Sequence, residues 1–408
     1  MKRYETYKDS GIQWWEEIPT HWDLKKAKHI FSLVTENVSD SSLPKIALEN
    51  IESWTGKYIE TDSDFMGEGV EFKKDDILFG KLRPYLAKVY KAEFAGQAVG
   101  DIYVFRGNEE QNPEYLKYLL LSYPFISVVD GSTYGAKMPR ANWDFISHLV
   151  LPCPPKSEQV TIAAFLDHKV GQIDATIAEK EQMLKELKAY RSAIISEAVT
   201  KGLDKNVEMK DSGIDKFPMI RSNWNTSKLK YIASIRSGSA LPINNIKKDA
   251  LYEVYGGNGC MGRADEYNTE SPAIIIGRVG ALCGNVHLIK TKKWVTDNAL
   301  ILNIKRDVTY EYLYYYLTAY DLNTLNSSNA QPLITGTKVL DVVTPMPSLN
   351  EQIMIANYLD DKTSMIDETI DQITVQIVEL KSYKSSLITE AVTGKIDLRE
   401  WKPKEENV

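Results

Sequence analysis

The sequence predicts an α+β chain of two mixed α/β domains separated by two long antiparallel helices of coiled-coil type, the whole an internal pseudo-two-fold repeat. Three observations predict it. One segment recurs at a shift of 193 residues and another at a shift of 202. The longer repeated segment carries apolar residues at helical spacing, while the stretches between repeats hold short strand-like runs punctuated by glycine and proline.

The 193 shift pairs Pro152, Pro154, Glu158, Gln159, Ile162, Ala163, Leu166, Asp167 and Asp174 with Pro345, Pro347, Glu351, Gln352, Ile355, Ala356, Leu359, Asp360 and Asp367. It continues without a gap to Glu197-Ala198-Val199-Thr200 and Glu390-Ala391-Val392-Thr393. The 202 shift pairs Lys8-Asp9-Ser10-Gly11-Ile12 and Trp22 with Lys210-Asp211-Ser212-Gly213-Ile214 and Trp224. The parts are therefore a leader (1–22), a first domain (23–150), a spacer helix (151–202), a linker repeating the leader (203–224), a second domain (225–344), a second spacer helix (345–394) and a tail (395–408). The first leader has no helix before it, so joining the termini would restore the symmetry, and the termini are expected to lie close together.

In the first domain, strand-like runs cover Lys45 to Leu48, Asp76 to Phe79, Ala87 to Tyr90 and Asp101 to Phe105, and a helix covers Pro113 to Tyr123 with Asn112 as its cap. The second domain offers Tyr252 to Tyr255, Ala273 to Ile276, Asn285 to Ile289 and Ala299 to Ile304, then a helix from Tyr310 to Tyr320. In the spacers, Ile366, Ile370, Ile373, Ile377, Leu380, Leu387 and Ala391 fall on a 4,3 spacing interrupted by Lys384. Ile173, Ile177, Leu184, Leu187, Ile194 and Ala198 repeat the stripe, with Lys180 and Arg191 as breaks. Ser157 or Asn350 is the expected N-cap, and Gly202 or Gly394 the C-terminal stop. One such stripe alone is as well explained by an ordinary bundle; its duplication favours two helices that pair with each other. The 27 residues from Ile173 to Val199 would span about 40 Å at 1.5 Å per residue, or roughly 12 base-pair steps.

With 408 residues, 43% of them hydrophobic, the chain is long enough for more than one core. Cys153, Cys260 and Cys283 are odd in number and far apart, and they read as buried thiols of a reducing compartment rather than a disulfide framework. Residues 1–7 contain no apolar signal region, and no long apolar run follows, which argues against secretion or membrane insertion. The net charge of -7 is unevenly spread. Asn225 to Thr344 holds 13 Lys and Arg against 10 Asp and Glu, whereas Glu351 to Thr393 holds 3 against 8, so the second spacer suits protein contacts better than phosphate.

In each domain the helix leads into a polar loop rich in the groups that read base edges: Arg for guanine, Asn and Gln for adenine, hydroxyls for either. The candidates are Ser132, Thr133, Tyr134, Lys137 and Arg140 in the first domain, and Asn329, Gln331, Thr335 and Lys338 in the second. The turn Gly80 to Tyr85 adds Lys81, Arg83 and Tyr85 where phosphate contact is easy. Gly257-Asn258-Gly259-Cys260-Met261-Gly262 has the form of a dinucleotide-binding loop, but no helix can follow before Ser271-Pro272. Asn258, Arg263 and Arg278 are better read as contacts on a backbone shaped for close approach. A surface turn with ordinary solvated charges is the alternative for each of these loops.

Catalytic chemistry has little material. The five histidines, His21, His29, His148, His168 and His287, are scattered, and no metal, triad or P-loop pattern occurs. Asn112-Pro113-Glu114-Tyr115 approaches an amino-methyltransferase tetrapeptide, but Glu114 stands where proline is required.

Taken together, Leu151-Pro152-Cys153-Pro154-Pro155 through Glu158-Gln159, Ile162-Ala163, Phe165-Leu166-Asp167, Ile173-Asp174 and Ser196 to Gly202, each with its second copy, resemble the specificity subunits of Type I restriction-modification systems. Asp76 to Tyr85, and Tyr255 to Gly259 with Ile276-Gly277-Arg278, add to the resemblance, which covers essentially the whole chain. It implies two target recognition domains, each reading one half of an asymmetric bipartite DNA site whose unread gap is set by the paired helices. It further implies two DNA adenine methyltransferase subunits and restriction and translocation subunits as partners. S-adenosylmethionine, ATP and Mg belong to those partners and none to this non-catalytic chain, in the cytoplasm. The helix residues Glu158, Gln159, Asp167, Asp174, Glu351, Gln352, Asp360 and Asp367 are the expected partner-binding set. Rival readings are the reader of a related restriction enzyme with different cleavage, a coiled-coil scaffold without nucleic acid, and a cryptic enzyme. The tail, with Trp401-Lys402-Pro403-Lys404, either clamps the leader or stays unordered.

Overall fold

In the computed structural model the described residues are all except 1, 39–41, 62–66, 134–136, 205, 281, 327–331 and 404–408. The chain divides into two compact units, one of residues 1–181 with 375–408 and the other of residues 182–374. The long helices run Lys156–Lys201 and Leu349–Val392, and each unit takes half of each. This partition differs from the sequence boundaries because a helix of that length packs its two halves on different domains.

The first unit is built on a four-stranded antiparallel sheet ordered Phe31–Val34, Ile102–Gly107, Ile77–Gly80, Val89–Lys91. A second sheet joins Asn37–Val38, Gly69–Phe72, Gly96–Ala98 and Lys45–Ile46, the last pair parallel. Between the sheets Ile46, Phe72, Leu78, Tyr90, Ile102 and Val104 are buried together. The second unit repeats the plan with Ala233–Ser237, Ala299–Ile304, Ala273–Gly277 and Val286–Ile289 in one sheet. A three-stranded sheet of Gly259–Ala264, Tyr252–Gly256 and Trp294–Val295 accompanies it. The Ala299–Ile304 strand and the Tyr310–Tyr320 helix match their expected bounds, and the other expected strands shift by one or two residues at an end, with Leu48 and Ala87 falling in and beside 3-10 turns instead. The helix expected to end at Tyr123 breaks at Ser122, whose ψ of 144° is extended, and restarts as Tyr123–Gly131. Pro124 in the new first turn has no N–H to continue the earlier ladder.

The helix stripes meet as antiparallel pairs inside each unit. In the first, Lys384 Nζ lies 2.7 Å from Asp174, Lys180 donates to Gln376 at 2.7 Å and Lys381 pairs with Glu181 at 3.2 Å. Ile173, Ile177, Leu387 and Ile388 are buried there. In the second, Arg191 holds Asp367 through two bonds of 2.8 and 2.9 Å, and Ile195, Ala198 and Val199 enter a core with Tyr312, Tyr316, Ile355 and Leu359. Two of the polar breaks in the stripe, Lys384 and Arg191, are thus cross-helix ion pairs, and the third, Lys180, bonds to a neutral amide. Both helices start two residues earlier than expected: Pro155 receives the N–H groups of Glu158 and Gln159, and Ser348 forms reciprocal bonds with Glu351. Gly202 and Gly394 end them with φ of 80° and 73°.

The leader hairpin Tyr7–Asp9 with Glu17–Pro19 has its counterpart in Met209–Asp211 with Met219–Arg221. Trp22 Nε1 and Tyr4 Oη both donate to Glu158, at 3.0 and 2.8 Å, and Trp224 Nε1 donates to Glu351 at 3.4 Å. The tail clamps the first leader: Asp397 N–H donates to the Lys2 carbonyl at 2.9 Å, Arg399 lies 5.1 Å from the centre of the Tyr4 ring, and Trp401 packs edge-on against Phe165. The expected proximity of the two ends holds. Cys153 and Cys283 are buried, but Cys260 is exposed on a hairpin, contrary to the expectation for all three thiols.

Candidate nucleic-acid interface

The strand Ile77–Gly80 delivers Lys81 to the edge of its sheet, where the chain meets the returning end of the polar loop. Lys81 N–H donates to Asp101 O at 2.9 Å, Arg83 N–H to Pro139 O at 2.8 Å, and Ala141 N–H to Lys81 O at 2.8 Å. Arg140 grips Asp101 with bonds of 3.0 and 2.9 Å. Lys81 Nζ lies 3.8 Å from the same carboxylate and 5.2 Å from the centre of the Tyr103 ring. The Arg140 hydrogen bond, opposed by burial, holds the Asp101 carboxyl below its ordinary value. Arg83, at φ 51°, and Lys137 are exposed beside this cluster. Tyr85 is exposed, its carbonyl accepting from Trp54 Nε1 at 3.1 Å.

The second unit builds the same junction. Arg278 N–H donates to Asn298 O at 3.0 Å, and Ile334 N–H donates to Arg278 O at 2.9 Å. Gly257 is pressed against Gly277, where any Cβ would lie 2.1 Å from the Gly257 carbonyl oxygen, so glycine is required. The glycine-rich loop is a hairpin turn, with Tyr255 opposite Cys260 and Gly256 opposite Gly259. Asn258 at its tip accepts from Asn285 Nδ2 at 3.2 Å. The Arg278 Nε is buried without a hydrogen-bond partner among the described residues.

Other expected contacts are committed elsewhere. Ser132 and Thr133 bond back to Val129 O and Asp130 O at 2.7 and 2.8 Å, finishing their own helix. Arg263 is pinned by the carbonyls of Ala250 and Leu251. Thr335 caps the short helix Gly336–Leu340, and Lys338 Nζ donates to Leu325 O at 2.8 Å. Tyr134, Asn329 and Gln331 lie outside the described residues.

Of the helix residues expected to face a partner, Glu158, Gln159 and Gln352 are buried and Asp174 is nearly enclosed, while Asp167, Asp360 and Asp367 keep close to half of their side chains exposed. Gln159 accepts from Asn112 N–H at 2.8 Å and donates to Pro154 O at 2.9 Å; Gln352 does the same for Thr309 N–H and Pro347 O at 2.8 and 3.0 Å. Both are buried, as is Glu158, while Glu351 faces Trp224 and Arg221. Asp167 and Asp360 accept from Tyr118 and Tyr315 at 2.8 and 2.6 Å, and Asp174 and Asp367 take the cross-helix cations. These side chains tie each domain to its helices, and at the buried Glu158, Gln159 and Gln352 an unpaired polar group would lack water to bond with.

Asp101, Tyr103, Asn285 and Asn298 escaped the sequence reading. A third shift, of 197, would have found the junction: it takes Gly80-Lys81 to Gly277-Arg278, and Glu114-Tyr115-Leu116 with Tyr118 to Glu311-Tyr312-Leu313 with Tyr315. Tyr115 and Tyr312 play one part, donating to the carbonyls of Val392 and Val199 at 3.4 and 3.3 Å.

A family model described as the Type I restriction modification DNA specificity domain matches residues 29–189 and again 221–379, which together exceed half of the chain. The chain belongs to this family. Each match takes in one specificity domain, its junction and part of the helix after it. Among relatives, the Type I restriction enzyme EcoprrI specificity subunit of Escherichia coli is 32% identical over 39% of this chain, a match spanning 38% of that relative's length. The EcoBI specificity subunit of Escherichia coli is 21% identical over 81% of this chain and 75% of its own length. A solved chain from work on the structural basis of complex assembly and conformational transition of the type I R-M system aligns over 93% of this chain and 99% of its own, with a TM-score of 0.71 at 15% identity, which shows that the specificity-domain fold is shared. Among the described residues no three His, Cys, Asp or Glu side chains gather as a metal site, and no helix is long and apolar enough to cross a membrane.

Proposed function

We propose that this chain is the sequence-reading, non-catalytic subunit of a Type I restriction-modification complex in the cytoplasm. Each domain reads one half of an asymmetric, bipartite double-stranded DNA site, and the helix pair sets the unread gap between them. The observation that carries this reading is the junction repeated in both domains, where a glycine delivers a cation, Lys81 or Arg278, to the returning end of a polar loop. Cations and amides on such loops match the acceptor-rich edges of bases and the phosphates beside them. Two adenine methyltransferase subunits, carrying S-adenosylmethionine, and restriction subunits using ATP and Mg supply the chemistry. The exposed apolar helix residues, Val375, Val378 and Tyr383 in the first unit and Met183, Tyr190 and Met365 in the second, offer the methyltransferase subunits an apolar surface on the same helices as the partly exposed acids Asp167, Asp360 and Asp367.

Coexpression with the cognate methyltransferase subunit, followed by genome-wide mapping of modified adenines, tests the reading. A two-part asymmetric motif with a constant gap is the expected result. A contiguous or palindromic motif overturns the two-domain account, and a stable complex that modifies no DNA overturns the assignment of DNA reading to this chain.

A further inference from the structure

The backbone bonds that place Lys81 in the first unit place Arg278 in the second, and the residue whose carbonyl receives each N–H is Asp101 in one and Asn298 in the other. The strand register agrees: Ile102 lies opposite Gly80, and Ala299 lies opposite Gly277. The two domains thus differ in charge at an equivalent position. In the first, Asp101 collects two cations, Arg140 in a bidentate grip and Lys81 at 3.8 Å. In the second, Leu333 bridges to Val279 as Arg140 bridges to Leu82, so no second cation is supplied. Asn298 brings no charge, and among the described residues the Arg278 guanidinium has no ion-pair partner, with its Nε enclosed and unbonded.

Resting on the DNA-reading function, we propose that Asp101 is a positioning residue that fixes how the first domain presents its cations to DNA, and that Asn298 leaves Arg278 as the specificity-determining cation of the second. Each junction then carries one net positive charge in a different form. In the first, a guanidinium is fixed by two hydrogen bonds on a carboxylate that an ammonium also approaches at 3.8 Å, so the directions of the remaining guanidinium N–H groups are set before DNA arrives. In the second, the terminal amino groups of Arg278 have no partner among the described residues, and a guanidinium offers such groups to the paired acceptors of a guanine edge.

The test uses the full chain in complex with its methyltransferase subunit, carrying Asp101→Asn, Asp101→Glu, Asn298→Asp or Arg278→Lys, with modified-adenine mapping, salt-dependent DNA retention and thermal melting as readouts. Asp101→Asn is expected to free both cations. The first half-site becomes degenerate, the second stays intact, and the slope of log affinity against log salt steepens by about one phosphate contact. Asp101→Glu restores the parent motif. Asn298→Asp is expected to sequester Arg278 and degrade only the second half-site, and Arg278→Lys to relax one base position there. If Asp101→Asn lowers the melting temperature but leaves motif and salt slope unchanged, Asp101 is a structural ion pair and the proposal fails. If Arg278→Lys weakens all sequences equally, Arg278 is a phosphate contact and its specificity role is overturned. A parent complex that yields no bipartite motif would instead reject the DNA-reading function itself.

Discussion

Lys384 reaches across the helix pair to Asp174 at 2.7 Å, and both side chains are nearly enclosed, at 9% and 12% exposure. The 193 shift carries this pair onto Arg191 and Asp367, which make the same contact from the opposite helices, but with the carboxylate 48% exposed. The difference comes from Lys57, which closes over Asp174 at 2.9 Å in the first unit. Asp174→Ala therefore leaves a buried ammonium without a partner and is expected to cost about 3 kcal/mol or more, whereas Asp367→Ala costs about 1 kcal/mol or less. Denaturant melts of the two variants compare them directly, and equal losses would contradict the role given to Lys57.

The same carboxylate gives a pH dependence. Burial would raise the Asp174 carboxyl, but hydrogen bonds from Lys384 and Lys57 outweigh it and hold the group below its ordinary value. A carboxyl depressed in the folded state adds stability that is whole above its unfolded value of about 4 and is lost as pH falls through the folded one. The stability gap between the parent and Asp174→Asn should shrink as pH drops from about 6 toward 3. A gap that stays constant over that range would show that charge is not what Asp174 contributes.

Gly394 has φ 73°, and a Cβ there would lie 2.4 Å from Pro19 Cδ in the leader. Gly213 has a similar φ of 69° with open space around it. Ala at 213 should cost only the backbone strain, about 1 kcal/mol, while Ala at 394 adds displacement of the leader and costs more. Melting temperatures rank the two, and limited proteolysis near the N-terminus should increase only for Gly394→Ala.

Gln352 is fully buried and joins Thr309 N–H to the carbonyls of Pro347 and Asp307. Removing it strands these groups, so Gln352→Ala should cost about 1–3 kcal/mol. Hydrogen exchange should accelerate in the first turn of the Tyr310–Tyr320 helix, and unchanged protection there would mean that water replaces the amide.

Much of this architecture is written in periodicity. The Ala299–Ile304 strand and the Tyr310–Tyr320 helix fall on their expected bounds because each is long enough to display its repeat. Two-residue edge strands such as Asn37–Val38 and Trp294–Val295 display no period and exist only through their partners. Function was less legible. A polar loop advertises donors, but Ser132 and Thr133 spend theirs on a helix end, which only the folded backbone reveals. Asp101 stands among apolar strand residues with no basic neighbour in sequence, and its partner Arg140 is 39 residues away. The helix acids pointed outward on charge alone; their tyrosine, tryptophan and backbone donors come from other elements.

The three repeat shifts run in order, 202 at the leader, 197 at the sheet junction and first helix of each domain, and 193 along the long helices. Passing from 202 to 197 removes five residues between Trp22 and Gly80, and passing from 197 to 193 removes four between Tyr118 and the long helix. All of the length change therefore sits between the repeated segments, and none in the long helices. One residue inserted in a helix would turn every later side chain by about 100° and separate Asp174 from Lys384. A loop absorbs the same insertion at small entropic cost. The chain thus divides its tolerance to mutation: recognition segments can drift, lengthen or be exchanged one at a time, while the frame that aligns them accepts substitutions but not indels.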